Sequence, residues 1–135
     1  MDHQKVPDMI LDIRTATWYQ FYMEALTIEY RAIYKMVRSI LKHLKYPIDK
    51  NVDNFEEDYK KFMELKETNE YTKEIFDDEL VNKVLEWYRG ATDFNQSFTT
   101  DDTYRRVKVR QGETLVREFY DRVLKAIVYI TDIDS

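Results

Sequence analysis

The residues in this chain that could do chemistry are few, and their spacing narrows them further. Cysteine is absent and the histidines are His3 and His43. This removes thiolate zinc sites, disulfides and cysteine nucleophiles, and leaves little for a histidine-based metal centre. The two glycines, Gly90 and Gly112, lie far apart, so no dinucleotide fingerprint, phosphate loop or GxSxG elbow can be assembled. Two acid pairs remain, Glu64 with Glu67 and Glu74 with Asp77. On facing helices, such pairs supply four carboxylates that hold Mg²⁺ against a triphosphate. Only six residues separate the pairs, too few for the turn that would make them face each other. No metal and no cofactor is expected.

One basic pair stands apart. Arg38 and His43 form an R-x4-H sequence near the end of a long apolar-seamed segment. Over these six residues the chain resembles the RNase motif of the HEPN family, whose members are small, all-α and often dimeric. In that family the arginine and histidine are held responsible for cleaving RNA. Ser39 stands where the motif carries Asn or Asp directly after the arginine. The resemblance implies Arg38 and His43 as catalytic candidates and a homodimer as the assembly. Read as an ordinary helix position, His43 falls on an apolar stripe, where a histidine is more often packed with a satisfied ring nitrogen.

Charge offers binding candidates instead. The formal net charge is −5, but it is segregated. Residues 31–48 hold Arg31, Lys35, Arg38, Lys42 and Lys45 and no acid, while residues 49–93 hold fourteen acids against seven bases. The five cations step by four and three, which lines them along one helix face. Like charges at i,i+4 destabilise a helix slightly, so something offsets them. Either the acidic middle segment lies across the stripe, or the stripe receives phosphates of a nucleic acid or nucleotide. Arg105, Arg106, Lys108 and Arg110 form a second basic cluster. The acidic segment could itself imitate a phosphate path, although acids at helix N-termini serve solubility and the helix dipole equally well. Phe94 and Phe98, in a polar stretch after Gly90, either fold back as a lid or stand as anchors for a partner.

The elements that must position these residues follow from periodicity. Tyr19, Met23, Leu26, Tyr30, Ile33, Val37, Ile40 and Leu44 repeat at steps of four and three, and Trp18, Tyr22, Ala25, Ala32, Met36 and Tyr46 form a flanking stripe. The spacing predicts a helix over about 16–46, buried on more than one side and stopped by Pro47. Val109, Gly112, Val116, Phe119, Val123, Ala126, Ile130 and Ile133 predict a second long helix over about 101–133, with Thr100 as its N-cap and Gly112 as a candidate kink. The alternation of residues 107–110 followed by Gln111-Gly112 would also suit a short strand and turn. Two shorter helices lie between, one capped by Asp53, the other opened by Asp77 or Asp78 and closed by Gly90. Residues 92–99 read as a loop, and Pro7 as the start of a short turn with Met9, Ile10 and Ile13.

The expected fold is therefore all-α: residues 1–135 as one helical bundle with two long helices and two shorter ones. Packed antiparallel over their seams, the long helices would carry the 105–110 cluster to the Pro47 end and merge both basic groups. The first residues, rich in aspartate, do not read as a signal peptide, and no apolar run approaches the ~20 residues of a membrane span. The cytoplasm is the expected compartment, with no membrane partner. The expected function is a small non-enzymatic interaction or regulatory protein, of the kind that phages and mobile elements use as inhibitors, binding a larger protein. The alternative is a nucleic-acid-binding module using the basic helix face, with HEPN-like RNA cleavage.

Overall fold

The computed structural model describes the backbone of residues 5–47, 54–96 and 102–134, and the side chains of 5–47, 54–90 and 103–127. Six helices occupy them: α1 (Val6–Trp18), α2 (Tyr22–His43), α3 (Phe55–Lys66), α4 (Glu70–Ile75), α5 (Asp78–Gln96) and α6 (Asp102–Asp134). No strand occurs among the described residues, as the all-α reading expects.

Local chemistry explains where these helices start. Pro7 sits in the first turn of α1, where a missing N–H does no harm. Met9, Ile13 and Ala16 then bury one face, making a full helix of what the sequence suggests is a short turn. Asn54 caps α3 by accepting from the Glu57 N–H at 3.1 Å. It takes the role assigned to Asp53, which lies outside the described residues, as does Thr100. Asp77 opens α5 as expected, its carboxylate accepting from the Leu80 N–H at 2.8 Å. The six-residue α4 has no counterpart among the expected elements; Asn69 caps it by accepting from the Tyr71 N–H at 2.8 Å.

The expected helix over 16–46 is two helices. After Trp18, Gln20 enters the left-handed region at φ 63. The Phe21 N–H bonds to the Ala16 carbonyl at 2.8 Å and the Gln20 N–H to that of Thr17 at 3.0 Å, the paired bonds of a Schellman ending. The same device closes α2 before Pro47. Lys45 has φ 62, with Tyr46 N–H on the Leu41 carbonyl at 2.9 Å and Lys45 N–H on that of Lys42 at 3.0 Å. Glycine normally fills this position because it has no Cβ to clash. A chain with two glycines uses Gln and Lys there instead.

Neither glycine ends a helix. Gly90 lies inside α5, which continues to Gln96 rather than giving way to a loop. Gly112 lies inside an unbroken α6, so the strand-and-turn alternative is not adopted. A Cβ added at Gly112 would stand 2.6 Å from Glu29 Cδ and 2.7 Å from Trp87 Cζ2. The glycine there makes room for two side chains from other helices.

α6 packs most extensively on α2, and α1 on both. The core includes Leu26, Ile33, Ile40, Phe119 and Val123, all expected at this junction and all buried; the Ile130 side chain lies outside the described residues. Direction is where expectation fails. Glu29 faces Gly112, and Tyr22 shares a groove with Arg106 and Arg110, so α2 and α6 run parallel. α5 runs against α6, with Trp87 Nε1 donating to the Lys108 carbonyl at 3.0 Å and Arg122 pairing with Asp77 at 3.7 Å. The start of α6 therefore lies beside the α1–α2 turn. About 30 Å of helix separates Tyr22 from Lys42 at 1.5 Å per residue, and the two basic groups do not merge.

Candidate functional site

The surface with the strongest functional character is the α1–α2 turn. Because α1 ends at Trp18 and the chain reverses over three residues, side chains that a continuous helix would bury are turned outward. Trp18 is 80% exposed, Tyr19 62% and Phe21 56%, with Met23 at 38% beside them. Tyr19 and Phe21 stack on each other with centroids 6.1 Å apart. Leu11, two turns before Trp18 on α1, is also exposed, as are Tyr104 and Val107 at the start of α6. Large apolar side chains left in water forgo their transfer energy, about 25 cal/mol per Å², and such clustering marks a contact surface.

A groove of about 300 Å³ opens beside the turn, lined by Arg14, Trp18, Tyr22, Arg106, Arg110 and Glu113 among others. Arg14 Nε donates to Glu113 at 3.0 Å, which fixes one arginine at the wall. Arg106 and Arg110 are exposed and one helical turn apart. Arg105, grouped with them in sequence, is half-buried and has a partner elsewhere in the protein.

The α2 stripe is divided. Arg31, Lys35 and Arg38 each engage a partner within the protein, while Lys42 and Lys45 are exposed at the far end. The N-terminus of α3 lies across this region: Tyr34 donates to Asp58 at 2.7 Å and accepts from the Asn54 N–H at 2.9 Å. Burial, reinforced by the hydrogen bond to Asp58, pushes the Tyr34 phenol up to about 12. Part of the acidic segment thus reaches Tyr34, on the same helix as the basic stripe.

Arg38 lies over the Tyr34 ring, 5.3 Å from its centroid. His43 Nδ1 is 2.8 Å from the Ser39 carbonyl, so that nitrogen carries the proton. Five residues along a helix turn a side chain by about 140°, so Arg38 and His43 leave α2 in different directions. The side chain of Phe94, on the last turns of α5, and the whole of Phe98 lie outside the described residues.

Three of the four acids in those pairs are tied to cations. Glu64 pairs with Lys61 at 3.5 Å, Glu67 with Lys66 at 2.7 Å and Lys73 at 3.5 Å, and Asp77 with Arg122. No cluster of three or more metal-ligating side chains forms among the described residues. Lys66 is buried with Glu67 and Asp78 as its partners. Burial pulls its ammonium down, but those hydrogen bonds outweigh it and hold it above the usual lysine range.

Sequence reasoning passed over two features. The first is the turn itself, which no glycine or proline marks. Its signal was the run Trp18, Tyr19, Phe21, Tyr22, Met23, apolar on more sides than one helix can bury. The second is Glu29, visible only as a break in an apolar stripe. It is fully buried, and neither carboxyl oxygen has a hydrogen-bond partner. Burial, with the charge of Glu113 adding to it, raises its carboxyl to about 10, so Glu29 is a neutral acid at pH 7. No helix is long and apolar enough to cross a membrane among the described residues. No protein family, curated protein or solved structure matches the chain.

Proposed function

We propose that this protein is a non-enzymatic interaction module that docks on a larger protein through the α1–α2 turn. The observation that carries the reading is Trp18, 80% exposed beside Tyr19 and Phe21, with Arg14, Arg106 and Arg110 around the adjoining groove. Tryptophan, tyrosine and arginine dominate the binding energy of protein interfaces because they bury large areas and anchor them with directed polar contacts. A nucleic-acid platform would use the aromatics too. The aliphatic members of the surface, Leu11, Met23 and Val107, have no π face for a base and favour protein.

The test is Trp18→Ser with Phe21→Ser, assayed by affinity capture from the native host. Both side chains stand largely in water, so the substitutions should change stability by no more than about 0.5 kcal/mol each. Capture of a defined partner by the parent protein should be lost in the double variant. The same partner retained by a double variant of unchanged helicity would remove the turn from the interface. Capture of nucleic acid alone, abolished by raising salt, would favour the alternative module.

A further inference from the structure

We infer that the groove beside the turn receives an acidic helix of the partner protein, whose two carboxylates, one helical turn apart, meet Arg106 and Arg110. This rests on the docking reading above and adds the chemistry of what docks. Arg106 and Arg110 are exposed, and among the described residues neither guanidinium has a hydrogen bond or ion pair. Residues four apart on a helix stand about 5–6 Å apart at Cβ. A partner helix with Asp or Glu at i and i+4 repeats that interval, and each carboxylate can accept two parallel N–H bonds from a guanidinium.

Glu113, paired with Arg14, leaves the uncompensated positive charge of the groove at Arg106 and Arg110. Trp18 and Tyr22 give the groove an apolar side for the aliphatic residues that flank acids on an amphipathic helix. The surface thus combines an apolar anchor, which supplies affinity, with spaced cations, which set register and partner choice.

The experiment is a display selection of roughly 20-residue helical peptides against the intact protein, counter-selected on Trp18→Ser. Binders should be enriched in Asp or Glu pairs at i,i+4. Their affinity should fall about tenfold or more against the Arg106→Gln, Arg110→Gln double variant, weaken with salt, and be unchanged by Lys42→Gln at the far end of α2. Trp18-dependent binders without acid enrichment, or with undiminished affinity for the double arginine variant, overturn the acidic-helix inference and leave the docking reading intact. No Trp18-dependent binder at all overturns both. Displacement of the peptides by millimolar inorganic phosphate or by an oligothymidylate overturns it in favour of a phosphate ligand. Self-association in sedimentation, lost in the arginine variant, overturns it in favour of a second copy.

Discussion

Two groups of aromatic side chains occupy this molecule, and they have opposite fates. Phe55, Tyr59, Phe62, Phe76 and Phe119 form a closed nest where α3, α4, α5 and α6 meet, each 3% exposed or less. Their centroids lie 5.1–5.8 Å apart along the chain of contacts from Phe55 to Phe119, in the stacked, tilted and edge-on arrangements that aromatic quadrupoles favour. Tyr59 gives its hydroxyl to the Val81 carbonyl at 2.7 Å, so even its polar atom is satisfied inside. Trp18, Tyr19 and Phe21 are of the same chemical kind and lie at the turn in water. Packing accounts fully for the first group and not at all for the second. An aromatic-rich composition is therefore two statements at once: a core requirement at one place and a contact surface at another.

Three measurements sharpen or break this contrast. Phe119→Ala should lower unfolding free energy by about 3–5 kcal/mol, the range for deleting a buried aromatic ring, whereas Trp18→Ser should scarcely move it. Comparable losses at both sites in urea titrations would dissolve the distinction between nest and turn.

The next effect belongs to Glu29. The folded chain keeps its proton up to about pH 10, whereas an ordinary glutamate releases it near 4.5. Between those values unfolding releases a proton, so stability is greatest below the lower one and declines as pH rises towards the upper one. The parent protein should lose about 3 kcal/mol between about pH 5 and about pH 7.5 from this group. Glu29→Gln should remove that decline. An unchanged pH slope in the variant would mean that Glu29 is ionised or hydrated in the folded state.

The smallest effect is at the turn. Gln20→Gly should stabilise by about 1 kcal/mol, because the left-handed conformation crowds a Cβ. A loss of stability there would show that the Gln20 side chain holds the turn in shape.

The fold was legible where periodicity and burial coincide. The seam from Leu26 to Ile40, and that from Val109 to Ala126, were read correctly because one face of each helix is apolar at every turn. Legibility ended where one pattern served two purposes. Tyr19 and Met23 continue the seam in register and Trp18 the stripe beside it, so the sequence alone extends the helix through a turn that Gln20 makes without glycine or proline. Helix direction was illegible for a different reason: an apolar seam reads alike in both directions, and only cross-helix partners such as Glu29 with Gly112 orient it. Of the candidate site, Arg106 and Arg110 were singled out by charge. The aromatics beside them were assigned to the core, and α2 Arg31, Lys35 and Arg38 proved to be engaged within the protein.

The fit of Gly112 against Glu29 has a consequence for inheritance. A methyl group at 112 has nowhere to go while the acid at 29 keeps its length, and shortening the acid leaves a void that the glycine cannot fill. The ring of Trp87 closes the other side, so a side chain at 112 needs both neighbours to give way at once. A lineage drifting from this sequence would keep the glycine unless positions 29 and 87 changed with it.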